Sequence, residues 1–502
     1  MNREYVKKPR KDAGALGDLI EYDRHLGADN DLIGVLHQSG YSDVTIDFDD
    51  DDYDGLDTFH QFKLACAVCA RLFLSCECVT VFEGVTLDHL QYISENERAR
   101  LDFKKTISMH DNVIASPESP YVSFAKINTI KFHDEFNSSL VGIVNWPQSL
   151  HTIYFGDYYN YPLVGVVWPD HLTSIVFGEE FDLPISDVTW PSSLQKMEFG
   201  ADFNQPVVDV EWPENLLTLK FGYYFNQPVE GMVLPGNLKN IDFGVVFNQP
   251  ITGLKWPSSL RKIHFDLSFD QPIEGVAWPA HLESIVFGNV FNQPIERTVW
   301  PAGLQSIKFG LEFNQPIQGV AWPAHLQSIV FGQLFNHPIE GVVWPTHLQS
   351  IVFGERFNQP IEEVAWPAHL QSIVFGERFN QPIEEVAWPA HLQSIVFGQL
   401  FDQPIEEVAW PAHLQSIVFG QRFNQPIANV AWPNNLHSIQ IGIYFTEATN
   451  YNWPLSVQRI VVHVSFQHEH VYLRDSTNPR KFVTTECQEL RNCRDGLFSY
   501  LQ

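Results

Sequence analysis

A period of 22 residues runs through most of this 502-residue chain and limits what it can fold into. At that interval a Trp-Pro dipeptide returns, with Leu-Pro in one copy. The positions are Trp146, Trp168, Trp190, Trp212, Leu234, Trp256, Trp278, Trp300, Trp322, Trp344, Trp366, Trp388, Trp410 and Trp432. Because Leu replaces Trp once, the position demands a large apolar side chain rather than an indole. A repeat of this length is typical of a solenoid.

The unit Phe357–Arg378, FNQPIEEVAWPAHLQSIVFGER, gives the pattern most clearly, and we number its positions 1 to 22. At positions 16 to 19, Ile373 and Phe375 alternate with Ser372 and Val374. An alternation of apolar and other side chains predicts a short strand with one buried face. Each unit is therefore expected to contain one strand.

The residues that follow the strand predict a chain that turns back on itself. Gly376 permits a tight bend or a positive φ, and Asn380 is expected to hydrogen-bond local backbone. Pro367 and Pro382 keep the return segment extended. One strand, one turn and one non-helical return make one coil.

A single coil of this size cannot bury its apolar side chains, but stacked coils bury them against one another. The repeated Phe, Trp, Leu and Ile are therefore predicted to form the core of a solenoid whose strands lie side by side in a parallel sheet. Residues 120–465 make up this array. Residues 466–502 are expected to form a C-terminal cap, and the segment VQRIVVHVSF is expected to supply a closing strand.

The pattern FNQPI…WP..L..I.FG resembles the FNIP repeats, which are relatives of leucine-rich repeats. The resemblance covers residues 120–465 and implies a curved, leucine-rich-repeat-like solenoid with a parallel β-sheet and 22-residue coils. Such repeats are abundant in social amoebae and in large DNA viruses that infect amoebae, so a viral protein is one expectation. Local departures are Tyr159-Asn160-Tyr161-Pro162 for FNQP, Asp266 for Gly and Thr446 for Asn.

The segment 30–115 resembles a BTB/POZ domain, which is an α/β fold, and 1–29 would be an N-terminal tail. The residues that match are Ser42, Asp43 and Val44 in one motif, and Phe59, Lys63 and Phe73 in a second. The second motif departs from the family at Phe62, Cys66 and Ala70, where His, Leu and Ser are usual. The resemblance implies a domain that binds a second copy of itself or a cullin.

Together the two resemblances imply a protein that binds other proteins. A BTB/POZ domain joined to a recognition array looks like a substrate adaptor of a cullin-type ubiquitin ligase, with the target bound by the solenoid. The alternative is a structural or decoy solenoid with no ligase link. The sequence contains no G-x-S-x-G, phosphate loop or H-E-x-x-H, so we do not expect an enzyme.

Composition disfavours some classes of binding partner and indicates the cellular compartment. A formal net charge of −29 disfavours nucleic acids and anionic membranes, which attract Lys and Arg. The first residues lack the apolar stretch of a secretory signal, and no run of about 18 apolar residues predicts a membrane span. Six cysteines are few for a secreted protein of this length. These features predict an intracellular, cytoplasmic protein, in the host cytoplasm if it is viral.

Two clusters before the array are candidate metal ligands. Asp50, Asp52, Asp54 and Gly55 fit the start of a calcium loop, but Gln61 stands where the bidentate Glu belongs, so a solvated acidic turn is favoured. The four cysteines of the second cluster could bind zinc, or could pack as small apolar residues of a buried helix. They are Cys66, Cys69, Cys76 and Cys78. No metal or cofactor is predicted.

The strand positions that face away from the core are the candidate protein-binding site, on the concave face of the expected solenoid. Positions 16 and 18 vary and carry charge in the earlier coils, whereas later coils repeat Ser and Val. The candidate residues are Lys196, Glu198, Lys220, Asp242, Lys262, His264, Lys308, Val352, Val374 and Val396. The valines form a second candidate as an exposed apolar stripe.

Position 13 carries histidine in several coils. They include His281, His325, His347, His369, His391 and His413. Ser, Asn or Gly replaces His at this position in other coils, which predicts a bend with a partly exposed side chain. A pH-sensitive edge is the alternative, because protonated histidines in one row would repel one another.

Overall fold

The computed structural model describes residues 128–132, 134, 136–142, 146, 149–442, 444–445, 454–465, 468–474 and 482–486, together with four short strands nearer the N-terminus. In those four strands and beyond Val461, the description covers the backbone alone. The chain divides into two compact units, Met1–Val245 and Val246–Gln502. No helix occurs among the described residues.

Among the described residues of the first unit there are ten strands, each paired in parallel with the next. They are β1 Asp18–Glu21, β2 Asp43–Asp47, β3 Cys78–Val81, β4 Thr106–Met109, β5 Thr129–Phe132, β6 Thr152–Tyr154, β7 Ser174–Val176, β8 Lys196–Glu198, β9 Thr218–Lys220 and β10 Asn240–Phe243. The parallel ladder thus includes strands on both sides of residue 120. Asp43 and Val44 of the BTB/POZ resemblance lie in β2, whereas Ser42, Phe59, Lys63 and Phe73 lie outside the described residues.

The second unit continues the same pattern. Its strands are β11 Lys262–Phe265, β12 Ser284–Val286, β13 Ser306–Lys308, β14 Ser328–Val330, β15 Ser350–Val352, β16 Ser372–Val374, β17 Ser394–Val396, β18 Ser416–Val418, β19 Ser438–Ile441, β20 Arg459–Ser465, β21 His468–Arg474 and β22 Phe482–Glu486. Strands β11 to β20 pair in parallel. The predicted strand in VQRIVVHVSF is observed as β20, but it does not end the sheet, because β21 and β22 extend it in antiparallel fashion.

Each coil buries the positions that the sequence predicts. In β16 the central residue Ile373 is fully buried, and Phe375 and Phe379 are buried beside it. Phe375 stacks on Phe379 at 4.1 Å between ring centroids within the coil and on Phe397 of the next coil at 5.7 Å. Parallel stacking of identical rings adds a favourable pair interaction to the burial of apolar area. The core is therefore a set of continuous side-chain ladders.

The Trp position is apolar, as predicted, and is buried or half-buried from coil to coil. Trp344 is 7 % exposed, and so is Leu234, which replaces Trp in another coil. The indole Nε1 of Trp344 is buried without a hydrogen-bond acceptor among the described atoms. Because Leu fits the same place and has no donor, the position selects for apolar volume.

The glycine that is repeated at position 20 is required for a reason other than the expected bend or positive φ. Gly376 does not adopt a positive φ, which is found instead at position 7, for example in Gly275 and Gly319. A Cβ on Gly376 would lie 1.7 Å from the carbonyl oxygen of Gly354 in the preceding coil. Close approach of backbones, rather than a left-handed turn, thus requires glycine. Asp266 replaces this glycine in the first coil of the second unit.

The asparagine at position 2 bonds to the next coil and not to local backbone. Oδ1 of Asn380 accepts hydrogen bonds from the backbone N–H of Asp402 at 2.9 Å and from Nε2 of Gln403 at 3.1 Å. The same two bonds join Asn358 to the coil of Asn380. This polar ladder lies beside the buried Phe of position 1 and satisfies backbone donors that the strands leave unpaired.

Tyr159 is the exception among the aromatic residues at position 1. It is fully buried between Phe136 and Phe181, at ring-centroid distances of 5.7 and 6.2 Å. Its hydroxyl has no hydrogen-bond partner among the described atoms. Burial raises the pKa of this phenol, because the apolar surroundings disfavour its ionised form.

Candidate protein-binding face

The strands present one surface that is not packed against the rest of their coil. We call it the strand face, and it consists of the first and third residues of strands β5 to β19. The strand residue between them, such as Ile373 in β16, points into the core and is fully buried, while Ser372 and Val374 on either side are half-buried. Since neighbouring strands within each unit pair in register, residues of one position form a straight column in that unit.

In the first unit the strand face carries alternating charge. Glu198 of β8 lies opposite Lys220 of β9, which lies opposite Asp242 of β10. Lys196 and Glu198, both in β8, form an ion pair with 3.1 Å between Nζ and Oε1. Side chains directly opposite on neighbouring strands interact most strongly, so each step along this column is a favourable pair of opposite charges. These four predicted residues therefore lie together.

The same column includes two residues that the sequence interpretation omitted. Lys131 of β5 lies opposite Tyr154 of β6, and its Nζ is 5.4 Å from the centroid of that ring. Tyr154 is 36 % exposed. Both occupy position 18 of earlier coils, so extending the register towards the N-terminus would have identified them. An exposed aromatic ring beside mixed charges is typical of protein interfaces.

In the second unit the predicted charged residues are farther apart. His264 and Lys308 share one column but are separated by Val286, and Lys262 lies in the neighbouring column opposite Ser284. The charged positions of this unit thus form a sparse set, bordered by Ser and Val of the following coils.

The valine stripe exposes less surface than its sequence suggests. Val352, Val374 and Val396 stack in register on β15, β16 and β17. Val352 is buried, at 5 % exposure, and the other two are half-buried. Their neighbours in the column cover them, so this stripe offers a narrow apolar surface rather than a broad patch.

The candidate metal ligands fall largely outside the described residues. Asp50, Asp52, Asp54 and Gly55 do so, as do Cys66, Cys69 and Cys76, and Cys78 is described only as part of the backbone of β3. In the part of the chain that the structure describes, no three side chains of His, Cys, Asp or Glu are grouped to hold a metal ion. Within the described ranges, no helix has the length and hydrophobicity needed to cross a bilayer.

The fold is similar to solved leucine-rich-repeat structures. CroV588, a circular leucine-rich-repeat protein of the giant virus CroV, shares 27 % identity at a TM-score of 0.60, over 88 % of this chain and 69 % of that one. A chain in the Toll–Spätzle complex of Drosophila shares 13 % identity at a TM-score of 0.53, over 71 % of this chain and 53 % of that one. The second likeness concerns the fold alone.

A comparison with curated protein sequences gives no match. The sequence model of the FNIP Repeat family, in contrast, matches overlapping segments that cover residues 159–245 and 247–444. These segments make up more than half of the chain and coincide with the stacked coils described above. The chain therefore belongs to the FNIP repeat family.

Proposed function

We propose that this protein is a binding scaffold whose strand face in the first unit contacts a target protein. The observation that supports the proposal is the contrast between a repeated core and a variable face. Lys196, Glu198, Lys220 and Asp242 occupy positions that other coils fill with Ser and Val, although the core positions beneath them keep the same apolar types. Charges there are not needed for packing, so they remain available for recognition.

The alternating charges of this strand face also indicate what kind of protein it would bind. A column of Glu198, Lys220 and Asp242, with Lys131 and Tyr154 nearer the N-terminus in the same column, fits a protein surface of complementary mixed charge. Such charges favour specificity and association rate more than affinity. The Toll–Spätzle structure, which has the same type of fold, is itself a complex.

We propose further that the N-terminal segment 30–115 links the scaffold to a cullin-type ubiquitin ligase in the cytoplasm, through a BTB/POZ-like domain that also forms dimers. The support is the sequence resemblance at Ser42, Asp43, Val44, Phe59, Lys63 and Phe73. A structural or decoy scaffold without a ligase link is the competing function.

Affinity capture from amoeba lysate with a face variant tests the binding proposal. The substitutions Glu198→Val, Lys220→Val and Asp242→Val give the first unit the residue found in later coils at the same position, so the fold should be kept. The control Glu384→Gln/Glu385→Gln removes charge from exposed positions outside the strands. We expect the wild type and the control to capture the same proteins and the face variant to lose them.

Two results would overturn the proposals separately. If the face variant captures the same proteins as the wild type, the strand face of the first unit is not the binding site. If no cullin co-purifies with the wild type under conditions in which targets are captured, the ligase link is wrong and the scaffold acts without it.

A further inference from the structure

Five histidines form an unbroken row along one edge of the second unit. They occupy position 13 of successive coils, and we call them the histidine row: His325, His347, His369, His391 and His413. Neighbouring rings lie 5.5, 6.5, 6.0 and 5.6 Å apart between centroids, in chain order. All five side chains are exposed. The solenoid therefore holds five imidazoles at regular spacing on its surface.

A hydrogen bond to the preceding coil orients two of these rings. Nδ1 of His347 lies 2.9 Å from the carbonyl oxygen of Ala324, and Nδ1 of His413 lies 3.0 Å from that of Ala390. A carbonyl can only accept, so Nδ1 carries the proton and, in the neutral ring, Nε2 keeps its lone pair. Asn435 donates to the carbonyl of Ala412 in the same way at 2.9 Å.

This arrangement matches the chemistry of metal-binding histidines. A histidine that binds a metal through one ring nitrogen usually donates its other N–H to a carboxylate or a backbone carbonyl, which fixes the tautomer. Imidazole nitrogen is a good ligand for Zn²⁺, Ni²⁺ and Cu²⁺. The residues directly before and after each histidine are Ala or Thr and Leu, so no adjacent charge repels a cation.

We propose that the histidine row binds divalent transition-metal ions of the Zn²⁺, Ni²⁺ and Cu²⁺ class, each between the Nε2 atoms of two neighbouring histidines. Two protein ligands with water are the expected set, because no three candidate ligands are grouped in the described residues. The pairs His325–His347 and His391–His413 are closest and are tilted by 32° and 34°. Zn–N bonds of about 2 Å require the two rings of a pair to close by about 2 Å. The exposed His325 and His391 achieve this by rotation, while His347 and His413 keep their bonds to the preceding coil.

Two double variants with equal numbers of histidines test the proposal on the untagged full chain. His347→Asn/His391→Asn leaves three histidines of the row with no neighbouring pair. His325→Asn/His413→Asn also leaves three, but His347, His369 and His391 remain adjacent. Asn occurs naturally at this position and donates the same bond to the preceding coil, so both variants should keep the wild-type melting temperature.

Zn²⁺ titration by calorimetry should show that pairing, and not the number of imidazoles, sets the affinity. We expect His347→Asn/His391→Asn to bind Zn²⁺ at least about tenfold more weakly than the wild type. His325→Asn/His413→Asn keeps only the two wider pairs, at 6.5 and 6.0 Å, and should bind with intermediate affinity. The control His281→Asn removes a histidine whose neighbours at position 13 are Ser259 and Gly303, and should change nothing. Other ligands in the chain, such as the cysteines before residue 80, contribute equally to all variants.

The proposal is overturned if the two double variants bind Zn²⁺ equally, since adjacency would then have no effect. It is also overturned if the wild type binds Zn²⁺ no more tightly than His347→Asn/His391→Asn. Retention on immobilised Ni²⁺ provides an independent measurement, in which only proteins with adjacent histidines should be held.

Discussion

The coils at 159–245 and those at 313–422 have nearly the same core and very different strand faces. Phe203 and Phe225 of the first region stack at 6.2 Å between centroids, and Phe357 and Phe379 of the second at 6.1 Å. On the strand face the first region varies from coil to coil, for example Lys196 with Glu198 in β8. The second region repeats Ser and Val in every coil.

This comparison separates two kinds of constraint on a repeat protein. Core positions must fit the identical position of the next coil, so ring stacking and backbone approach limit them in every coil. Strand-face positions meet only their column neighbours and water, so sequence change there has a small effect on folding. If that division is correct, the same core substitution should cost the same free energy in both regions.

Glycine at position 20 should show the largest effect. In Gly222→Ala and Gly376→Ala, the new Cβ would lie 1.6 and 1.7 Å from the carbonyl oxygen of the preceding coil. The coils must move apart, which breaks bonds such as the one from the N–H of Ser372 to the carbonyl of Gln349. We expect each substitution to lower the free energy of unfolding by more than about 4 kcal/mol, measured by urea unfolding.

Gly236→Ala is the control for both substitutions. A Cβ at this position meets no atom within 4 Å, and its φ lies outside the left-handed region. Alanine there should change stability by less than about 1 kcal/mol, and can stabilise by reducing the freedom of the unfolded chain. An unfolding midpoint of Gly222→Ala close to that of Gly236→Ala would contradict the close-approach explanation.

The glycines also show which features could be predicted from the sequence and which could not. Periodicity predicted the strand and the buried positions 17 and 19, because a repeated alternation reflects local geometry. It did not reveal why Gly376 is glycine or what Asn380 bonds to, because both answers depend on atoms 22 residues away in the preceding or following coil. Likewise, the sequence placed Val352 on a surface but could not show that its column neighbours bury it.

The asparagine ladder should show an intermediate effect. Asn204→Ala in the first region and Asn358→Ala in the second each remove an Oδ1 that accepts two bonds from the next coil. The half-buried backbone N–H of the next coil would lose this acceptor, whereas Nε2 of the Gln keeps the backbone carbonyl of the substituted residue. We therefore expect each substitution to cost about 1–3 kcal/mol of unfolding free energy. Hydrogen exchange of the amides of Asn226 and Asn380 should accelerate in the corresponding variant.

Aspartate at the same position provides the matched control. Asp182 and Asp402 occupy position 2 of other coils and accept the same backbone bond, at 2.8 and 2.9 Å. Asn358→Asp keeps the acceptor and should cost much less than Asn358→Ala. Equal losses for Asp and Ala would show that the amide donor, rather than the acceptor oxygen, stabilises the ladder.

Tyr159→Phe should have the smallest effect and the opposite sign. This substitution gives the coil the Phe that the second region has at position 1, and removes a buried hydroxyl without a hydrogen-bond partner among the described atoms. Stacking on Phe136 and Phe181 is kept, so we expect a stabilisation of about 1 kcal/mol. Tyr158→Phe, next to it, alters a side chain that is 50 % exposed and should change nothing.

The pH dependence provides a second test of the same residue. Burial raises the pKa of Tyr159 in the folded chain, so its contribution to stability is complete below the ordinary tyrosine pKa of about 10 and decreases as the pH rises above it. Tyr159→Phe has no such group. Its advantage over the wild type in unfolding free energy should therefore grow between about pH 9 and pH 11. An advantage that stays constant with pH would mean that the Tyr159 hydroxyl is solvated in the folded coil, and that the first region packs position 1 less tightly than the second.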